Sequence, residues 1–265
     1  MTSNLAAISV TGVLAYPIKI TIFENHYNVR GISRCLFPKC TAGKVAEEPY
    51  YFGREPDASG KIGLRAIRKL GDYRAVEVLQ NSLFYVPVLS KNPDAFDYEF
   101  HCSVLPVLEQ FRAGDELAFI DTGRENNISS KTILGEADIV VVTLRQDMQE
   151  IQNFFQNYSS LIPRAFFIIG NYDRRSSVTV KSILSEFNFR RDRLGVIPHL
   201  DEFAWAADSG RLIEFISARF ESNNSDEERY FMQELKKTTF LLLQQTILNQ
   251  EGRDWAAAER RAEKF

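Results

Sequence analysis

The strongest constraint in this chain is a succession of short apolar runs, rich in β-branched and aromatic residues, each halted by a polar or glycine-containing turn. Residues 5–11, 18–24, 83–89, 116–121, 139–144 and 165–171 have the length and continuity of strands buried on both faces. A seventh run, 194–197, stops at Pro198, which has no N–H to give to a sheet ladder. Between the later runs the period changes to that of amphipathic helices, at 98–111, 148–158, 178–187 and 210–220. The alternation predicts an α/β fold: a doubly wound, mostly parallel sheet of about seven strands with helices on both faces.

A chain of 265 residues suits one main core. The layout expected is an α/β domain over 1–222 with a surface excursion at 38–61, where Pro, Gly and charge mix without period. A C-terminal helix over 223–249 and a polar tail over 250–265 should follow. Ser225 can cap that helix, and Asp226, Glu227 and Glu228 suit the positive end of its dipole. Its apolar face fits docking on its own domain, a partner or dimer surface, or a membrane-lying helix. The formal charge of −3, with basic residues dispersed among acidic ones, gives no phosphate-binding stripe for nucleic acid. Cys35, Cys40 and Cys102 are odd in number and form no CxxC pair, which argues against a disulfide framework and for a reducing compartment. The first residues lack the pattern of a secretory leader, and no run of about 18 apolar residues occurs. The expected location is the cytoplasm.

Several chemistries are missing. A phosphate-binding P-loop needs Gly-x-x-x-x-Gly-Lys-Ser/Thr, so that backbone N–H groups close around phosphates and a Lys reaches the outer ones. Gly43-Lys44 is followed by Val45 and has Pro38 where the first Gly belongs; Gly60-Lys61 is followed by Ile62 and has Glu55 there. No Gly-x-Gly occurs, so the dinucleotide fingerprint is absent too. His26, His101 and His199 lie far apart and no cysteine cluster accompanies them, so zinc is not expected. Nearness of Cys35 to His26 in sequence does not make a nucleophile and base. There is no Gly-x-Ser-x-Gly elbow.

Four segments between about 115 and 220 resemble the MinD/ParA group of P-loop ATPases, and within it the TadZ/CpaE-type proteins associated with pilus assembly. Leu117-Ala118-Phe119-Ile120-Asp121-Thr122-Gly123 is similar to the strand that ends in an Asp near magnesium, and Ala137-Asp138-Ile139-Val140-Val141-Val142-Thr143 to the strand one helix later. Phe166-Phe167-Ile168-Ile169-Gly170-Asn171-Tyr172 looks like the strand whose terminal Asn contacts adenine. Gly195-Val196-Ile197-Pro198-His199-Leu200-Asp201-Glu202 with Ala206-Ala207-Asp208-Ser209-Gly210 resembles the ending that borders the base. The resemblance implies a P-loop NTPase-like fold. The amino-terminal third departs from it. With 5–11 as first strand and 18–24 as second, Val13 to Pro17 leaves no room for a loop and helix, and the cradle reads as deleted rather than mutated.

The remnant nucleotide site that the resemblance implies comprises Glu24, Asp121, Thr122, Arg124, Asn171, Pro198 and Asp201. Each also has a plainer reading, as a strand-end acid, an Asx turn or a solvated rim. Glu24-Asn25-His26-Tyr27-Asn28 is the densest polar cluster at a strand's carboxyl end, where open α/β sheets bind ligands. With Thr122, Arg124, Glu125 and Asn126 it would line a remodelled pocket in which Arg124 is the natural anion contact. Phosphoryl transfer depends on positioning and charge stabilisation around phosphates, so without cradle and Lys hydrolysis should be negligible. The expected function is that of a non-catalytic protein acting through protein partners, a second copy of itself among them, with no cofactor. The alternative is a nucleotide switch, binding ATP or ADP with Mg2+ through an unconventional loop at 13–19 or around Gly43-Lys44. DNA partition is a third reading, which the acidic balance opposes. Nucleic acid, zinc and association with a membrane are not expected.

Overall fold

In the computed structural model the residues described are 2–26, 31–38, 67–70, 73–87, 93–112, 114, 116–123, 127–221 and 225–262. The anticipated excursion 38–61 lies outside them except for its first residue. The chain forms two compact units. One comprises Met1–Glu136 and Asp201–Asn223, the other Ala137–Leu200 and Asn224–Phe265.

The first unit carries a five-stranded sheet built from β1 (Lys19–Asn25), β2 (Ile67–Leu70), β3 (Tyr73–Leu79), β4 (Leu83–Val86) and β5 (Glu116–Thr122), in the order β2-β3-β4-β1-β5. β1 is parallel to both β4 and β5, while β2, β3 and β4 run antiparallel. The β3–β4 turn passes through Asn81 at φ 56°, a conformation that Asn tolerates better than most residues. β2 and β3 escape the sequence reading because charged residues interrupt their apolar ones, as in Ile67-Arg68-Lys69-Leu70.

Residues 5–11 are not a strand. They belong to α1 (Thr2–Ala15), in which Ala6, Ala7, Ile8, Ser9, Val10 and Thr11 are all buried. An apolar run buried on every side fits a helix as well as an interior strand, and length decides between them. The Ser9 hydroxyl donates to the Leu5 carbonyl at 2.8 Å, so the helix satisfies its own polar group. α1 packs against α2 (Gly31–Leu36) and against α8 (Leu212–Arg219), and α2 packs against α7 (Asp201–Ser209). Gly210, at φ 74°, follows α7 so closely that a Cβ there would stand 1.9 Å from the Phe37 carbonyl oxygen. On the sheet, Phe23, Phe84 and Val86 pack with Phe96, Phe100, Val104 and Phe111 of α3 (Pro93–Arg112) and Ile133 of α4 (Ile128–Glu136). Burying each of those phenylalanines contributes about 2–3 kcal/mol.

The second unit has a parallel sheet in the order β6-β7-β8, formed by β6 (Val140–Arg145), β7 (Ala165–Tyr172) and β8 (Leu194–Pro198). α5 (Met148–Asn157) starts on Asp147, whose carboxylate accepts from the N–H groups of Gln149 and Glu150. α6 (Val180–Phe187) starts on a capping box between Thr179 and Ser182. Phe155 of α5 stacks on Phe167 and Phe187, which fixes both helices to β7. The last helix, α9 (Asp226–Ala262), begins as anticipated: the Glu228 N–H donates to Ser225 Oγ at 3.3 Å, and the Ser225 N–H donates to Glu228 Oε2 at 3.1 Å. It runs beyond residue 249, because Ala256, Ala257, Ala258 and the surrounding Glu and Arg are strong helix formers. Phe231, Met232, Leu235, Leu242 and Leu243 are buried, and α9 packs along β8. Among the described residues no helix is long and apolar enough to cross a membrane.

Candidate functional site

Parallel pairing of β1 with β5 sets Glu24 beside Asp121 and Asn25 beside Thr122 at the strands' carboxyl ends. β4 flanks β1 on the other side and supplies Tyr85. Glu24 is 2% exposed. Its Oε2 accepts from the Tyr85 hydroxyl at 2.6 Å, and its Oε1 accepts from the Ile32 N–H, in the first turn of α2, at 2.9 Å. Burial pushes the Glu24 carboxyl up from its ordinary value and nearby Asp121 adds to this, against the opposing pull of Tyr85, the Ile32 N–H and His26. His26 Nε2 lies 3.3 Å from Asp121 Oδ2.

Asn25 and Thr122 point the same way along the sheet, and α4 closes over Asn25. The Asn25 amide donates to Ser129 Oγ at 3.0 Å and Ser130 Oγ at 3.3 Å, and Ser129 Oγ donates back to Asn25 Oδ1 at 3.2 Å. The start of α4 is also filled from within. Asp97 of α3 accepts from the N–H groups of Ser129 at 2.9 Å and Ile128 at 3.1 Å, and Asn127 Oδ1 accepts from the Ser130 N–H at 2.9 Å. Partial burial raises the Asp97 carboxyl, but the Ser129 hydroxyl, the two N–H donors and His101 outweigh it and hold it below its ordinary value. Cys35, on α2, is buried and pushed up to about 12, first by burial and then by Glu24, so it is no nucleophile at neutral pH. Backbone donors that could receive an anion at this edge are thus turned onto the protein's own carboxylates.

The helical state of 5–11 removes the ground on which the cradle reads as deleted. β1 is the first strand of the sheet, and the next described element in the chain is α2. The sequence between them is His26-Tyr27-Asn28-Val29-Arg30.

Of the residues singled out from sequence, Glu24, Asp121 and Thr122 gather at one sheet edge of the first unit, and Asp201 is the exposed first residue of α7 in that unit. Arg124, Glu125, Asn126, Tyr27 and Asn28 lie outside the described residues. Asn171 and Pro198 belong to the second unit. There Asn171 adopts φ 51° at the end of β7, and Pro198 ends β8 in register with Tyr172. The turn after Asn171 is clamped by Gln146. Its amide donates to the carbonyls of Asp173 at 3.0 Å and Val178 at 2.6 Å and accepts from the Asp173 N–H at 2.7 Å. Sequence reasoning missed Tyr85, Asp97, Ser129, Ser130 and Gln146. Asn127 ahead of Ile128-Ser129-Ser130 was a legible helix start; Tyr85 and Gln146 carry no local signal. Among the described residues no group of three or more His, Cys, Asp or Glu is placed to hold a metal ion.

No family model matches this chain, and no curated protein matches it. Solved structures do. A ParA family ATPase from Chlorobium tepidum TLS superposes with a TM-score of 0.57 over 90% of this chain and 91% of its own, at 10% identity. A chain of the MinC:MinD cell division protein complex of Aquifex aeolicus gives 0.53, over 91% and 89%, at 14% identity. The septum site-determining protein MinD complexed with Mg-ADP from Pyrococcus horikoshii OT3 gives 0.54, over 90% and 88%, at 11% identity. At such identities the likeness shows the fold: the chain has the α/β architecture of ParA and MinD proteins.

Proposed function

We propose that this chain is a non-catalytic counterpart of the ParA and MinD proteins, acting as a regulatory, localisation or scaffolding component through protein contacts in the cytoplasm. One observation carries the reading. The Ile32 N–H, in the first turn of α2, is held by the buried Glu24 carboxyl. In either protonation state that group occupies the donor, and when ionised it also repels an incoming phosphate. The missing Gly-x-x-x-x-Gly-Lys-Ser/Thr points the same way. Tyr98 and Leu105 on α3 and Ile128 on α4, exposed by 67%, 39% and 54%, supply apolar area of the kind a protein partner covers. A second copy of the chain is the first partner to test, and the TadZ/CpaE-like segments suggest pilus or secretion assembly as the process.

The second reading is a nucleotide switch. It is favoured by the succession of β1 and α2, with Arg30 preceding the helix in sequence, and by Asp121 at the end of β5. Bound ATP or ADP with Mg2+ must stabilise the folded state. The non-catalytic reading expects no change in melting temperature with millimolar ATP, ADP and magnesium, and no phosphate release. A clear rise, or ATP turnover abolished by Asp121→Ala, would give the case to the switch.

A further inference from the structure

α7 is anchored by one face and open on the other. Phe203, Ala206 and Ala207 are buried, and the helix packs against α2 and α8. On its outer side Trp205 is 61% exposed. Tryptophan is among the residues most enriched at the energetic centre of protein interfaces. Asp201 and Glu202 precede Trp205 by four and three residues, Asp208 follows it by three, and all three are exposed. At that spacing they border the indole from the neighbouring turns of the helix. Two cations of the same unit already converge there. The Arg211 guanidinium lies 5.7 Å from the centroid of the Trp205 ring, and Arg34 of α2 pairs with Asp208 at 2.9 Å. The side chains of that pair are 57% and 73% exposed, so water screens their attraction.

We propose that the outer face of α7 docks a basic segment of another protein, whose apolar side chain covers Trp205 and whose Arg or Lys side chains meet Glu202 and the carboxylates beside it. The proposal rests on the reading that this chain acts through protein contacts. Charge selects the occupant. An indole bordered by three carboxylates favours guanidinium and ammonium groups, through the ring and through the acids alike. The same carboxylates repel the phosphates of nucleic acid or of an anionic membrane. Arg211 and Arg34 display that preference within the chain itself. The screened Arg34–Asp208 pair contributes little, so an incoming cation can take its place. Trp205 and Glu202 lie outside the residues on which a nucleotide switch would depend, so the two readings can fail separately.

The test is fluorescence anisotropy of a fluorescein-labelled amphipathic peptide of leucine and arginine, titrated with the full-length protein. A peptide with glutamate in place of every arginine serves as control. Saturable binding of the arginine peptide in the micromolar range is expected, weakening as salt is added. Trp205→Ala should raise the half-point about tenfold, and Trp205→Phe, which keeps an aromatic ring, should recover part of the loss. Glu202→Gln should reduce the salt dependence. Tyr98→Ala, on the apolar area of α3, should leave the half-point unchanged. No saturation, equal binding of the glutamate peptide, or an unaltered half-point in Trp205→Ala would overturn the proposal. So would binding of oligodeoxythymidine or of phosphatidylglycerol vesicles that Trp205→Ala abolishes, since the face would then serve a phosphate-bearing partner. Peptide binding lost from Trp205→Ala together with an ATP-dependent rise in melting temperature would remove the non-catalytic reading and leave this surface standing.

Discussion

Glu24 and Asp97 are carboxyl groups in the same unit with opposite consequences for stability. Burial raises Glu24 from its ordinary value of 4.5, so the folded chain holds that proton more tightly than the unfolded one. The folded state is then favoured most below pH 4.5, and this advantage declines as pH rises through the raised value. Glu24→Gln keeps an acceptor for the Ile32 N–H and a polar partner for Tyr85, and should remove the slope. Urea midpoints at acidic and mildly alkaline pH should lie closer together than in the wild type. Glu24→Ala should instead cost roughly 3 kcal/mol, because two buried donors lose their acceptor. For Asp97 the sign reverses. Its depressed value means that stability is present above the unfolded pKa and is lost as pH falls below about 4. Asp97→Asn should blunt that acid-side loss, which the same denaturation series would detect.

At the scale of the element, the contact between α9 and β8 decides how the second sheet ends. β8 is an edge strand, and edge strands present unpaired N–H and C=O groups. Here one hydroxyl closes the edge: Thr238 Oγ1 accepts from the Val196 N–H at 2.9 Å and donates to the Val196 carbonyl at 2.8 Å. Thr238→Val keeps the shape and removes both bonds, so it should destabilise the protein by about 2–3 kcal/mol in chemical denaturation, with Thr238→Ser retaining most of the difference. Gly195 lets the helix approach this closely; a Cβ there would stand 2.4 Å from Thr238 Cγ2. Gly195→Ala should therefore cost about 2 kcal/mol or more, and less in a Thr238→Ala background, a coupling that a double-mutant cycle measures. None of this was legible in the sequence, where nothing sets Thr238 apart from its neighbours. Regular periodicity did reveal α3, α5, α6 and α9 and the parallel strands, because each buries a continuous face. It failed for α1, whose apolar residues have no favoured side, and for β2 and β3, where charged side chains break up the apolar pattern. The Glu24 and Asp121 pairing was half legible, as two strand ends without the register that joins them.

For the whole molecule, the chain passes from the first unit to the second, returns for Asp201–Asn223, and leaves again. The returning stretch supplies α7 and α8, the Arg34–Asp208 ion pair at 2.9 Å and the Gly210 contact with Phe37. A fragment ending at Glu136 lacks all of these and leaves parts of α1 and α2 uncovered. It should show no cooperative thermal transition by circular dichroism, whereas the intact chain should. A sharp melt of that fragment would mean that the sheet and α3 alone make a sufficient core. The same interleaving bears on biosynthesis. α1 leaves the ribosome some two hundred residues ahead of α8, one of the helices packed against it. At about 5–20 residues per second that is a delay of roughly 10–40 seconds, during which part of an apolar helix lacks its cover. The order in which the parts are made thus sets how long that face stays open to aggregation.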